Sequence, residues 1–466
     1  MKKLKDIINC SYDIDISGIA DDSRYVSPGD LFVATHGYFC DHFDFVDDAI
    51  KAGAVAVVCD REAALSVPTI VVENINDVFI DLCKKYYDVS ASDFHFIGIT
   101  GTDGKTTTTA FVQQLLNPSF KTAYIGTLGV MVDDDVYNIH NTVPCVGELY
   151  KSLSQIKKHD CREVAMEVSS EALLHKRISG FQYDVVAYTN ITEDHLNIHK
   201  TLEEYVKSKF ELVNYLNNDG VVLINGDDEN CKKLRHNHVY SYGFSCENDY
   251  VITNVNKMSN FVKFDLKGKD CCFHIESPFL EHFNLYNVTL AFLIALFKGI
   301  DPKTLEERVK NLKTVVGRTE HLNFGQGYDI ILDYAHTLNG IQNMLDSVES
   351  KGRVIVVTGA AGGREREKRP KIGKILLEKS DYVIFTMDDP RNESVDAIID
   401  DMIADNHGCS YTREIDRVKA IHKAFDMAAA DDTVLILGKG RDNYMAIGNE
   451  KLPYCDYDVI KNYFEK

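Results

Sequence analysis

The segment Gly98–Thr109, GITGTDGKTTTT, constrains this chain more than any other. It is preceded by the apolar run FHFI and runs into TTTAFVQQLL, so the whole reads strand, glycine-rich turn, helix. Gly101 and Gly104 let the backbone bend until successive N–H groups face one point, and the helix N-terminus adds its partial positive charge there. Lys105 is placed to reach the β- and γ-phosphates of a nucleotide, and the Thr106 hydroxyl to meet Mg²⁺. Thr102, Asp103 and Thr107 complete the loop. The common phosphate-loop pattern puts its first glycine where this chain has Ile99. A plain glycine turn into a capped helix is the competing reading, but glycines, lysine and threonine coincide with a strand-to-helix switch. The segment predicts an ATP site.

A chain of 466 residues exceeds one ordinary hydrophobic core, so two or three domains are expected. The net charge of −20 argues against a nucleic-acid or anionic-membrane partner. An anionic substrate must then be held by local Arg, Lys or backbone N–H groups. The 12 cysteines are scattered except for Cys271–Cys272, and no CxxC occurs, which predicts reduced thiols and a cytoplasmic protein. The start, MKKLKDIINCSYDIDISG, holds no apolar run long enough for a signal peptide, and no segment approaches the ~20 apolar residues of a membrane span.

Short β-branched runs alternate with helical patterns, the sign of α/β architecture with mainly parallel sheets. Lys84–Phe94, KKYYDVSASDF, reads as a polar connection, and a second boundary falls near Gly317–His321. The expected domains are 1–91, 92–319 and 320–466. Apolar runs end in polar, glycine or charged residues at Glu167, Thr189–Asn190, Asp333–His336, Gly362–Arg364, Asp388–Arg391 and Gly438–Asp442. Ligands bind beyond the carboxyl ends of parallel strands. This pattern therefore predicts two α/β units whose loop-bearing edges face each other across a cleft.

GTDGKTTT resembles the GT(N/S/D)GKT signature of the Mur ligases. DDSRYVSPGDLFVATHG, MEVSSEAL, TNITEDHLNIH, FNLYN, GRTEHL, DYAHT, KRP, DDPRNE and GKGRDNY follow in family order from end to end. The chain is similar to the MurE type, the UDP-N-acetylmuramoyl-tripeptide synthetases. That resemblance implies an N-terminal UDP-binding domain, a central ATPase and a C-terminal Rossmann-like domain. It implies ATP and Mg²⁺ as cofactors, a monomer, and a role in peptidoglycan synthesis and so in cell shape and division. ATP would phosphorylate a carboxylate of UDP-N-acetylmuramoyl-L-Ala-D-Glu, and the amine of a diamino acid would displace phosphate from the acyl phosphate. Positioning and charge stabilisation would carry most of the catalysis.

The resemblance assigns residues one by one. Glu167, at the end of an apolar strand, becomes a Mg²⁺ ligand beside Thr106; a solvated strand-end glutamate is the alternative. His195 is associated with a second Mg²⁺. With His199 it also mimics a zinc pair at i, i+4, although no third ligand supports zinc. Lys209 would be carbamylated into a carboxylate-like ligand, and only the family match favours it over Lys207. Asn284 and Asn287 would lie near the adenine, helix capping being the competing view. Arg318, Asp333 and His336 would reach the nucleotide from the C-terminal side, with Arg318 at a hinge. Ser23 matches a uridine contact, and Thr142, Ser169 and Arg177 match contacts to the muramoyl peptide. Val143 replaces a threonine and offers only its backbone, while Glu171 stands where histidine is common.

The amino-acid end gives mixed signals. Asp388-Asp389-Pro390-Arg391 keeps the arginine that grips a distal carboxylate in diaminopimelate adders but has an acid where they carry asparagine. Asp389 would either pair with Arg391 and silence it or itself receive an ammonium. Arg364 is present in both substrate classes. After Gly438, Asp442 replaces a glutamate and Arg441 a histidine. A guanidinium holds a carboxylate with two hydrogen bonds, which favours meso-diaminopimelate over L-lysine. The competing functions are another ligase of the superfamily, such as folylpolyglutamate synthetase, and a nucleotide-binding module without catalysis.

Overall fold

A computed structural model describes residues 1–37, 40–404 and 410–465. The fold is α/β, built on three main sheets. The first is all parallel: β1 (Gly18–Ala20), β2 (Asp30–Val33), β3 (Ala56–Cys59) and β4 (Thr69–Val71), in that order. Helix α1 (Ile75–Tyr87) follows. It takes in Lys84–Tyr87, the start of the segment expected to be a polar connection. KKYYD is amphipathic, with Leu82 and Cys83 buried just before it, and the helix stops only at Asp88, whose φ of 52° leaves the helical region.

The middle sheet has 11 strands. In chain order they are β5 (His95–Thr100), β6 (Thr122–Gly126), β7 (Gly129–Val132), β8 (Asp135–Tyr137), β9 (Glu163–Glu167), β10 (Tyr183–Tyr188), β11 (Leu216–Asn225), β12 (Val239–Gly243), β13 (Tyr250–Lys257), β14 (Val262–Lys267) and β15 (Cys272–Ser277). Across the sheet the order is β8-β7-β6-β9-β5-β10-β11-β12-β13-β14-β15. The run from β6 to β13 is parallel, and antiparallel hairpins extend both edges. Strand β5 lies at its centre, buried from Phe96 to Thr100, as a strand covered on both faces must be. Helix α2 (Lys105–Leu116) leaves β5 through the glycine turn and packs on α3 (His282–Phe297). The latter is apolar nearly all round, as befits a helix inside a core.

The third sheet runs β16-β17-β21-β18-β19-β20, with strands β16 (Glu320–Leu322), β17 (Asp329–Asp333), β18 (Val354–Thr358), β19 (Tyr382–Phe385), β20 (Tyr411–Arg413) and β21 (Thr433–Leu437). Only the β16–β17 pair is antiparallel. Helix α4 (Leu338–Ser347) follows β17 and α5 (Lys368–Lys379) follows β18. Among the described residues no helix is long and apolar enough to cross a membrane.

Candidate active site

The glycine turn between β5 and α2 has the backbone its composition demands. Gly101 has φ 152° and Gly104 φ 82°. A Cβ at Gly101 would collide with the Thr189 hydroxyl, and one at Gly104 would lie 2.5 Å from Asn287 Oδ1. The residues after β10 brace the loop: the Thr102 N–H donates to Asn190 O at 2.7 Å and the Asp103 N–H to Asn190 Oδ1 at 3.0 Å. The Thr189 hydroxyl donates to Asp103 O at 2.6 Å. Thr189–Asn190 stood out in the sequence only as a strand end; its role as the brace was not read there. Lys105 Nζ donates to Gly101 O at 2.9 Å and Thr102 O at 2.8 Å, and burial lowers its pKa. Thr107 follows in the first turn of α2.

Beside the loop lies a buried oxygen cluster. The Thr106 hydroxyl donates to Glu167 Oε2 at 3.0 Å. Glu167, with no exposed surface, also accepts from the Thr127 N–H at 2.8 Å and from the Tyr124 hydroxyl. A solvated strand-end glutamate is thus not what the fold contains. All these donors are neutral, so an oxygen-rich set that suits a magnesium ion sits at the helix start. From the segment just before β16, Arg318 Nη2 donates to Thr106 Oγ1 at 3.1 Å, its guanidinium 4.7 Å over the Tyr334 ring.

Lys209 lies on a helix, Leu202–Phe210, that turns it inward; its Nζ donates to Gly101 O at 2.7 Å, whereas Lys207 is exposed. Burial, reinforced by the charge of Lys105, pushes the Lys209 pKa well below that of a free lysine. His195, at φ 55°, has Nε2 3.5 Å from Asp194 and Nδ1 3.6 Å from Glu171. Burial lowers its pKa to about 4, so the imidazole is neutral at physiological pH, the form that ligates metals. His199 turns away to Ser170, 3.0 Å from its hydroxyl. Among the described residues the one group of three metal-ligating side chains is Asp265, Cys272 and His274, so no zinc triad includes His195 and His199.

The asparagines form a chain. Thr108 donates to Asn287 Oδ1 at 3.2 Å, Asn287 to Asn284 at 3.0 Å, and Asn284 to Glu281 at 3.0 Å. Capping is not their role, because Glu281 holds the N-cap position of α3. Asp333 accepts the N–H groups of Thr319 and Ala335, both at 2.6 Å, so its carboxylate ties the hinge segment to the end of β17. His336 is exposed, with Nδ1 2.8 Å from Tyr334 O.

On the side of the N-terminal sheet, Ser23 opens a 3₁₀ turn capped by Asp22. Tyr25 of the same turn stacks on His140 with ring centroids 3.8 Å apart, a contact that sequence reasoning missed. Thr142 lies 3.2 Å from the Thr127 hydroxyl. Val143 is fully buried, and its carbonyl accepts from Arg177 Nη1 at 3.1 Å, so the backbone contact expected of it is already made within the chain. Ser169 accepts from the Ala172 N–H at 3.2 Å, capping the short helix Ser170–Leu174.

The C-terminal strand ends make a second group. Asp389 and Arg391 both have positive φ, 44° and 50°, in a turn where Pro390 packs tightly on Gly362. Their side chains diverge. Asp389 Oδ1 accepts from Lys439 Nζ at 2.8 Å and the Ala446 N–H at 2.9 Å, while Arg391 Nη1 donates to Gly362 O at 2.5 Å. Of the two alternatives for Asp389, the pair with Arg391 is not formed, and the ammonium it receives is the chain's own Lys439. Lys439, missed as a site residue, had no sequence signal beyond its place in GKGRD. Asp442 accepts from the Tyr334 hydroxyl at 3.1 Å and lies 3.5 Å from Lys439. Asp388 is buried against Gly438, where a Cβ would strike its carboxylate, and burial raises its pKa. Arg364 is exposed. Arg441 faces away, forming a two-pronged pair with Glu320 at the hinge.

The two groups meet across the domain gap. Lys368, at the start of α5, pairs with Asp194 at 2.5 Å and Glu365 at 2.9 Å, and Glu365 accepts the Leu196 N–H. The glycine turn, the buried oxygen cluster, Arg318 and the facing C-terminal sheet thus meet at one place, an arrangement suited to a nucleotide and its metal ion.

Comparison with known proteins agrees. Residues 15–86 match the model of the Mur ligase family catalytic domain, 99–295 the Mur ligase middle domain, and 317–440 the Mur ligase glutamate ligase domain. The chain is 34% identical over 479 residues to the UDP-N-acetylmuramoyl-L-alanyl-D-glutamate–2,6-diaminopimelate ligase of Bacillus cereus, covering 98% of both chains. The ligase of the same name from Oceanobacillus iheyensis is 34% identical, with 98% of this chain and 95% of that one covered. A solved structure of a ligase of that name matches with a TM-score of 0.63 at 26% identity, covering 100% of this chain and 99% of the other. The chain belongs to the Mur ligase family and is an ATP-dependent ligase.

Proposed function

We propose that this ligase adds meso-diaminopimelate to UDP-N-acetylmuramoyl-L-Ala-D-Glu, a cytoplasmic step of peptidoglycan precursor synthesis. The observation that carries the amino-acid assignment is the Asp389–Lys439 pair. It neutralises the acid that replaces asparagine, and among the described residues Arg391 donates to the Gly362 carbonyl and to no carboxylate. Arg391 can then receive a distal carboxylate, which meso-diaminopimelate has and L-lysine lacks. The names of the relatives support the same substrate.

The N–H groups at the start of α2 and Lys105 hold the phosphates of ATP, while the Thr102 and Asp103 N–H groups stay on Asn190. The γ-phosphoryl group passes to the substrate carboxylate, a P–O bond to ADP breaking as the acyl phosphate forms. The amine lone pair then attacks the acyl carbon, the C–O bond breaks with its electron pair leaving on inorganic phosphate, and the nitrogen gives up a proton as the amide closes. Thr106 and Glu167 would hold Mg²⁺, which when bound neutralises charge on the transferring phosphoryl oxygens. Arg318 adds a fixed positive charge from the C-terminal side. Lys209, with its depressed pKa, offers the neutral amine that reacts with CO₂; the new N–C bond with release of a proton would put an anionic carbamate where a neutral amine stood. The neutral His195 would complete the site for a second ion.

The test is product mass after incubation with ATP, UDP-N-acetylmuramoyl-L-Ala-D-Glu and candidate amino acids. A diaminopimelate tripeptide with stoichiometric phosphate release supports the reading. Glutamate addition to a folate, or nucleotide binding without turnover, would replace it.

A further inference from the structure

Asp103 puts an anion in the middle of a loop built for anions. Its backbone is held on both sides: its N–H donates to Asn190 Oδ1 at 3.0 Å, and its carbonyl accepts from Thr189 at 2.6 Å and Asn190 Nδ2 at 3.1 Å. The side chain crosses to the C-terminal unit. Oδ1 accepts from the Thr337 hydroxyl at 2.9 Å, and Oδ2 from Asn339 Nδ2 at 3.1 Å. Both partners belong to the start of α4, where Thr337 is the N-cap and also accepts the Gly340 N–H at 2.9 Å. A Cβ at Gly340 would stand 3.4 Å from Asp103 Oδ1, so the carboxylate is packed against the first turn. The positive end of a 10-residue helix faces it.

We propose that Asp103 is an electrostatic closure latch, a positioning residue that couples ATP binding to docking of the C-terminal unit. With α4 undocked, the carboxylate charge opposes a polyphosphate in the same loop. Docking transfers that charge to Thr337, Asn339 and the helix N-terminus, and the loop becomes a better phosphate site. Conversely, ATP in the loop favours the docked arrangement that brings Arg318 to Thr106. The inference rests on the loop being the ATP site of the ligase.

Calorimetric binding of a non-hydrolysable ATP analogue with Mg²⁺, and steady-state kinetics, test it on the full chain. Asp103→Asn removes the charge and keeps a hydrogen-bonding side chain; it should bind the analogue about 3–10-fold more tightly without other substrates. Asp103→Ala removes both charge and latch; it should bind the analogue tightly but lose about 10-fold or more in kcat. Asn339→Ala should lower kcat, and the double variant Asp103→Ala/Asn339→Ala should be no slower than Asp103→Ala alone. Solution scattering with all substrates should show wild type compact and Asp103→Ala extended. Unchanged analogue affinity in Asp103→Asn, or independent, multiplying losses for Asp103 and Asn339, would overturn the latch. Failure of wild type to bind the analogue would remove the ATP-site reading and the latch with it, so the two failures are distinguishable.

Discussion

At the scale of single residues, the catalytic assignment stands on buried electrostatics. Lys105→Ala removes phosphate stabilisation and Glu167→Ala removes the carboxylate of the oxygen cluster. Each should cost ~10²–10³ in ligase rate, measured by phosphate release, while the fold persists. Near-native rates in both variants would refute their roles. Lys209→Ala should also lose activity, and short carboxylic acids added to the assay should restore part of it; an active Lys209→Ala variant would refute the carbamate. Residue types at the loop were legible because glycine, lysine and threonine each carry their own chemistry. The choice of Lys209 over Lys207 was not, since only the turn of the helix buries one and exposes the other. Nor was the partner of Asp389, because Lys439 lies 50 residues further along the chain.

At the scale of elements, parallel strands were legible from β-branched runs that end in glycine or polar residues. The hairpins at the sheet edges were not, because β8 and β13 carry exposed side chains and lack a buried run. The C-terminal strand ends are held by a buried ion pair that spacing does not reveal. Arg417 and Asp456, 1% and 0% exposed, meet at 2.7 Å, and Arg417 also donates to Leu437 O at the end of β21. Asp456→Ala leaves a buried guanidinium without its counter-charge and should destabilise the protein by about 3–5 kcal/mol in denaturant unfolding. A cost under about 1 kcal/mol would contradict this. A weaker pair joins α3 to β16: His321 lies 3.8 Å from Glu281, whose carboxylate raises the histidine pKa above the usual 6.5. Its stabilisation is fully present below pH 6.5 and is lost as pH rises through the raised value. His321 is 60% exposed, so solvent screening limits the effect to about 0.5 kcal/mol. The stability gap between wild type and His321→Gln should close with rising pH; a gap that widens would reverse the sign.

At the scale of the whole molecule, the order of motifs pointed to two facing strand-end edges, and the contacts between them show how they meet. Arg318 with Thr106, Lys368 with Asp194, and Asp103 with Thr337 join residues far apart in sequence, which is why no local pattern announced them. The same docking sets Arg391 and the Asp389–Lys439 pair in the unit that faces the phosphate loop. Competition kinetics test the proposed substrate choice most directly. With meso-diaminopimelate and L-lysine supplied together, a diaminopimelate tripeptide should be the dominant product by mass, and Arg391→Ala should raise the KM for diaminopimelate by about 10-fold or more. A dominant lysine tripeptide, or an unchanged KM in Arg391→Ala, would contradict it.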